Sequence, residues 1–461
     1  MAELNLSIDW KKYQKEHTVT LEETAKAVKP GDVYWLGQAS TIPYPWLEEM
    51  YAHMEDYHDV TLIYNVMNQP ASMAFDPETK KHFKMISAYC LPVERMAIDM
   101  NTIEPGAIPY DTLQYAPFEY GCQSIATHVC PPDEEGYCNI GAYGVATNSI
   151  VNRDPRITKR ICFIDKTGVY PVPGPRDTHY IHISEMDYIC EIDCDPTFIP
   201  SPLPTPVDEK IASFLMPYIH DGDNVQIGFG GLGEEILRNL QKADGTFSIY
   251  SEVACDNMQD LVESGKVKKI VACSPGSCSE KFFNFMRDDP RITLRRQPEM
   301  IDPLGVMICD NLVSINATFM VDLIGQACSE AQGLTPYTGP GGSFAYFYGA
   351  MRSKGGRSFL TLRSTFVDHD GERHSNIVPW LPEGSIVTTT KSFVMYLVTE
   401  WGVANVYLKS LKDRIRATLK IAHPDYRKEL QEKICTTALI KEDDFAENYD
   451  LFDNLPADYQ K

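Results

Sequence analysis

The sequence predicts two open, mostly parallel α/β domains. Three observations carry that expectation. Short apolar runs of strand length alternate with amphipathic helical stretches along most of the chain. Five prolines crowd residues 194–210, CDPTFIPSPLPTPVDEK, and resist both helix and central strand. The length, 461 residues with 43% hydrophobic side chains, is ample for more than one core. The boundary therefore falls at the proline-rich segment, with one domain at 1–200 and the other at 206–461.

In the first domain GDVYWLGQ and DVTLIYNV read as short buried strands, while LEETAKAV and PWLEEMYAHM read as amphipathic helices. In the second, IASFLMPYIH resumes a helical pattern after the prolines. NVQIGFG, TFSIYSEV, KKIVACS, SFLTLRSTF and SIVTTT then read as strands, with EEILRNLQKA, MQDLVESG and SLKDRIRATLKIA as helices. Ligands on such sheets bind beyond the carboxyl ends of the strands, so the loops there are where chemistry is expected.

The formal net charge is -22. Such a surface repels nucleic acid and anionic membranes, and no Lys/Arg-rich stripe offsets it. The opening residues lack an apolar core of signal-peptide length, and no apolar run reaches membrane-spanning length. A cytoplasmic protein is expected. Its 13 cysteines read as reduced, mostly buried small residues. The close pairs Cys190/Cys194 and Cys273/Cys278 lack CxxC spacing and a nearby His, so no metal is expected.

NVQIGFGGLGEEIL is a strand, a glycine-rich turn and a helix. Gly228, Gly230, Gly231 and Gly233 allow a tight turn and close approach to a ligand, and the helix aims its free N–H groups at the same place. Gly228, Gly230 and Gly233 also satisfy G-x-G-x-x-G, with Glu252 about 20 residues on, as in a dinucleotide site. Glu234 and Glu235 directly after the turn are poor neighbours for a pyrophosphate. Glu252, at the end of the next strand, reads either as a solvated strand-end carboxylate or as a carboxylate nucleophile. A second loop, YTGPGGSFAYFYGA, holds Gly339, Gly341 and Gly342 and reads as a surface turn or as another wall of the site. Asn316 and Gln326 are polar positions in apolar strands. His128 and Asp133 are expected in a first-domain loop, and His423 at a helix end. Phe344, Tyr346, Phe347 and Tyr348 are expected mainly to pack a core.

Several stretches together resemble the acetyl-CoA hydrolase/transferase family, which includes butyryl-CoA:acetate and 4-hydroxybutyrate CoA-transferases. They are CPPDEEGYCNIGAYG, SINATFMVDLIGQACSE, TGPGGSFAYFYGAMRSKGGRSFLTLRSTF, IVPWLPEGSIVTTT, VTEWGVANVYLKSLKDR and IAHPDYRKEL. The resemblance covers most of the chain and is densest after residue 220. It implies two domains of the CoA-transferase type with the active site in the cleft between them, and Glu252 as the catalytic nucleophile. The glutamate motif is kept at Ser251, Glu252 and Asp256, while Tyr250, Val253 and Asn257 stand where the family has His, Met and Gly.

The resemblance further implies that Gly228, Phe229, Gly230, Gly231 and Leu232, Gly341 and Gly342, and His369 contact coenzyme A. Gln326, Ser343 and Phe344 are expected at the acyl group. Ser343 and Ala345 replace the Gln and Asp of the family's second loop. The activity implied is ping-pong transfer of CoA between short-chain carboxylic acids through a glutamyl-CoA thioester. CoA is a substrate in that scheme, and no cofactor is permanently bound. The partners are acyl-CoA and carboxylate, with neither nucleic acid nor membrane, and the chain is expected to form a homodimer or higher homo-oligomer. The alternatives are a short-chain acyl-CoA hydrolase using the same glutamate, an NAD-dependent oxidoreductase using GFGGLG, and a non-catalytic CoA-binding protein.

Overall fold

A computed structural model describes residues 8–332 and 335–445, so the first part of the opening segment, read above for a signal peptide, lies outside the described residues. The chain clusters into two compact units. The first runs to Pro200 and also includes Val271–Met300; the second is Ser201–Ile270 together with the chain from Ile301 onward. The first crossing falls within the proline-rich segment. The excursion of 271–300 into the first unit has no counterpart in a boundary drawn at one place along the chain.

The first unit is built on a seven-stranded sheet. Its strands are β1 (Val33–Trp35), β2 (Val60–Tyr64), β3 (Phe83–Ser87), β4 (Glu104–Pro105), β5 (Ser124–Val129), β6 (Lys159–Asp165) and β7 (Tyr188–Ile192). Their spatial order is β4-β3-β2-β1-β5-β6-β7, and the neighbouring pairs are parallel. The helix Leu21–Lys26 starts at a reciprocal capping box, Thr20 with Glu23. The helix Tyr44–Ala52 buries Trp46, Leu47 and Met50 in the core that Tyr34, Leu62, Tyr64 and Phe163 share. His128, expected in a loop, is a buried residue of β5, because the all-buried run Ser124–Val129 continues as a central strand through it.

In the second unit the helix Pro206–Leu215 begins at Thr205, whose hydroxyl accepts from Asp208 N while Asp208 accepts from Thr205 N; Pro206 occupies the first turn, where no N–H is needed. The strands that follow are β8 (Asn224–Ile227) and β9 (Phe247–Ala254). The chain leaves for the first unit along β10 (Val267–Pro275). On its return it forms β11 (Leu312–Ala317), β12 (Arg357–Thr361), β13 (Tyr396–Thr399) and β14 (Gly402–Asn405). The order is β9-β8-β11-β12-β13-β14, parallel except for the final hairpin. Val321, Leu323, Phe347, Leu397, Ile415 and Ile434 belong to one buried cluster in this unit.

Two strand expectations are corrected. SIVTTT makes only an isolated bridge, Thr389 to Ala327, and Ile386 and Val387 are exposed; the place beside β12 is taken by β13. SFLTLRSTF breaks after Thr361 and resumes as Thr365–Val367, which pairs with Arg373–Ser375 in a separate hairpin. Among the described residues no helix is long and apolar enough to cross a membrane.

Candidate active site

The carboxyl ends of β9, β8 and β11 meet in register. Val225 pairs with Ile249 and Ile227 with Ile315, so Gly228 follows Ile227 where Glu252 follows Ser251 and Asn316 follows Ile315. The buried Ser251 hydroxyl donates to Ile227 O at 3.0 Å and fixes this alignment. Glu252 thus stands at a strand end beside the first glycine turn, in the place where parallel sheets bind ligands.

The first glycine turn is shaped by two close approaches. Gly230 has φ +138° and caps the helix Gly231–Leu240 without a side-chain hydrogen bond. A Cβ on Gly233 would come within 2.5 Å of Gly228 O, so the helix can lie on the strand end only if residue 233 is glycine. Phe229 is exposed, and Leu232 and Gly231 are half-buried. Glu234 faces the core, where it accepts from the side-chain amide of Asn257. Burial raises its pKa, partly offset by that bond. Asn257, where the family pattern has Gly, is therefore a partner for a buried carboxyl.

The second loop closes on Glu252. Gly341 takes φ +61°, and Gly342 caps the helix Ser343–Arg352, again with no side-chain cap. A Cβ built on Gly342 would fall 2.0 Å from Glu252 Oε2 and 3.0 Å from Ile301 Cγ2. The Gly342 backbone therefore lies directly against the glutamate carboxylate, and any side chain there would have to displace it. Burial pushes the Glu252 carboxyl up to about 7. Ile301 carries no mark in the sequence, because one apolar residue after a helical stretch gives no periodic signal.

The remaining candidates separate. Ser343 opens the helix at the Gly342 loop, half-buried, and Phe344 is exposed beside it, edge-on to Phe393 at 5.3 Å. Tyr346 and Phe347 are core residues, and Ala345, the family's Asp position, is also buried. Gln326 is engaged elsewhere. Its N–H and Nε2 both donate to Asp322, at 2.9 and 2.7 Å, closing a tight turn. Asn316 exchanges amide hydrogen bonds with Gln226, at 2.7 and 3.2 Å, and Ser314 donates to Gln226 as well. Gln226 is a polar position in an apolar strand, a signal as legible as that of Asn316 but not singled out from the sequence. His369 sits at the tip of the hairpin joining Thr365–Val367 to Arg373–Ser375, its side chain 89% exposed and 3.4 Å from Asp370. His423 caps the helix Pro424–Cys435. Asp133 pairs with Arg176 in the first unit.

Residues 278–434 match the acetyl-CoA hydrolase/transferase C-terminal domain. Over 443 residues the chain is 29% identical to a succinyl-CoA:cyclohexane-1-carboxylate CoA transferase of Geobacter metallireducens, covering 93% of this chain and 97% of that protein. The chain is similar over most of its length to CoA-transferases, and its C-terminal part to the acetyl-CoA hydrolase/transferase family. A second relative, the 4-hydroxybutyrate coenzyme A transferase of Clostridium kluyveri, shares 27% identity over 92% of this chain and 99% of its own length. The crystal structure of RipA from Yersinia pestis superposes with a TM-score of 0.83 at 25% identity, over 94% of this chain and all of that chain. The matched domain contains Gly341, Gly342, Ser343 and Phe344 but begins after Glu252.

Proposed function

We propose that the protein transfers coenzyme A between short-chain carboxylic acids, with Glu252 as the covalent nucleophile. The observation that carries this reading is the contact of the Gly342 backbone with the Glu252 carboxylate, at the carboxyl end of a parallel strand and beside a second glycine turn. The similarity to CoA-transferases over more than nine-tenths of the chain supports it.

The Glu252 carboxylate attacks the thioester carbonyl of acyl-CoA. The tetrahedral oxyanion collapses, the C–S bond breaks, and CoA leaves as thiolate from an acyl-glutamyl anhydride. The thiolate then attacks the glutamyl carbonyl, giving glutamyl-CoA thioester and releasing the first acid as carboxylate. An acceptor carboxylate runs the same steps in reverse. N–H groups at the uncapped starts of the helices Gly231–Leu240 and Ser343–Arg352 are suited to hold the oxyanions or the CoA arm. The exposed ring of Phe344 offers apolar surface for a short acyl chain, consistent with butyrate, acetate or a similar acid.

The test mixes the protein with butyryl-CoA, with and without acetate, and follows thioesters by mass spectrometry. Acetyl-CoA should form only when acetate is present, and borohydride should trap a reduced Glu252 in protein given acyl-CoA. Glu252→Gln should abolish both and lower turnover by roughly 10³-fold or more. Free CoA accumulating at the same rate without acetate would assign a hydrolase instead. Full turnover in Glu252→Gln would overturn the nucleophile.

A further inference from the structure

The first unit brings together three side chains that the reaction above does not use. His128 lies in β5, Asp165 ends β6, and Cys194 follows two residues after β7, on three neighbouring parallel strands. One ligand atom from each lies within 4.8 Å of the others. His128 is 3% exposed and Asp165 fully buried, while Cys194 is half-exposed and opens the cluster to solvent.

Asp165 is held rigidly. Its Oδ1 accepts from the backbone N–H groups of Thr167, Gly168 and Cys194 at 3.0, 2.9 and 3.2 Å. Its Oδ2 is buried and lies 3.3 Å from His128 Nδ1, while His128 Nε2 is buried with no hydrogen-bond partner among the described residues. A Cβ on Gly168 would fall 2.5 Å from Asp165 Oδ2 and 3.1 Å from Cys194 Cβ, so glycine keeps this space clear. Two N/O ligands at ordinary zinc bond lengths and a tetrahedral angle stand roughly 3.3 Å apart, the separation seen between Nδ1 and Oδ2.

We propose that His128, Asp165 and Cys194 bind one divalent transition-metal ion of the zinc type. Nitrogen, carboxylate and sulfur donors together select zinc-like ions over calcium or magnesium. Three protein ligands leave a fourth position for water. Metal binding must expel the Cys194 thiol proton as the sulfur–metal bond forms. The ion would tie the ends of β5 and β6 to the segment that leads into the proline-rich crossing. No CxxC-type spacing marks the set, because its members are far apart in sequence and meet only through strand order. The inference is independent of the CoA chemistry.

The test titrates the full chain, purified in chelator, with Co²⁺. One equivalent should bind with a thiolate-to-cobalt charge-transfer band, release a proton and be displaced by Zn²⁺, and Zn²⁺ should raise the melting temperature. Cys194→Ser should lose the band and weaken binding more than about tenfold, whereas Cys435→Ser should leave both unchanged. If Cys194→Ser does not fold, the unmutated chain's charge-transfer band and zinc-dependent melting shift decide. Absence of that band, or its persistence in folded Cys194→Ser, overturns the site.

Discussion

As the proposed nucleophile, Glu252 must be ionised to attack, and its burial works against ionisation. Its carboxyl is pushed up to about 7, well above the ordinary glutamate range. The kcat/KM should therefore rise with pH through an apparent pKa near 7, and a pH profile still flat below 6 would contradict this. The stability effect has the opposite sign. Between the unfolded glutamate value and about 7 the folded state binds more protons, so the contribution of this group to stability falls as pH rises through that window. Glu252→Gln removes the penalty and should stabilise the protein above pH 7. The gain is at most ~3 kcal/mol and less with partial exposure, about 1–3 kcal/mol. Urea titrations of both proteins at pH 5 and pH 8 measure it: the difference should appear at pH 8 and shrink at pH 5. Gly342 is coupled to the same carboxylate. Gly342→Ala places a methyl group 2.0 Å from Oε2, so kcat/KM should fall by about 10² or more while the circular dichroism spectrum stays that of the parent. Equal activity in the alanine variant would mean that the loop and the glutamate are not in contact.

At the scale of elements, the first glycine turn works because the helix Gly231–Leu240 packs onto the strand end at Gly228. Gly233→Ala pushes a methyl group to 2.5 Å from a backbone oxygen, which cannot rotate away. The variant should lose roughly 1–3 kcal/mol of stability by chemical denaturation, with a raised KM for acyl-CoA. An unchanged melting midpoint would show that the helix can shift freely. This element was legible in the sequence because its signals are local: a strand, glycines at turn positions and an amphipathic helix follow one another within 20 residues. The second loop was legible as glycine-rich, with a wall of the site as one of its two readings, but its contact with Glu252 was not, since about 90 residues and seven strands intervene. Gln326 illustrates the converse. A polar residue in an apolar run signals a special role, but not which one, and here it holds the Asp322 turn. SIVTTT has strand composition and remains outside the sheet because β13 occupies the neighbouring position, a tertiary competition that propensity does not register.

At the scale of the whole molecule, the chain enters the second unit at the proline-rich segment, returns to the first for residues 271–300, and leaves again. The prolines announce the first crossing. Nothing comparable announces the others, since β10 runs through one as an unbroken apolar strand and Met300–Ile301 continues a helical stretch through the next. The excursion is not peripheral to the first unit. Gln38 Nε2 donates to Ser274 Oγ at 2.9 Å, Phe283 stacks on Tyr170 at 4.7 Å and touches Tyr143 and Phe198, and Phe282, Met286 and Leu294 are buried. A fragment consisting of residues 206–461 would carry these side chains without the neighbours that cover Phe283 and Ser274. Each exposed aromatic presents roughly 150–250 Å² of apolar surface, enough in sum to form an aggregation-prone patch. The fragment should therefore precipitate or elute as aggregate in size-exclusion chromatography. A soluble, cooperatively melting 206–461 fragment that keeps its insert would show that residues 271–300 do not depend on the first unit for their burial.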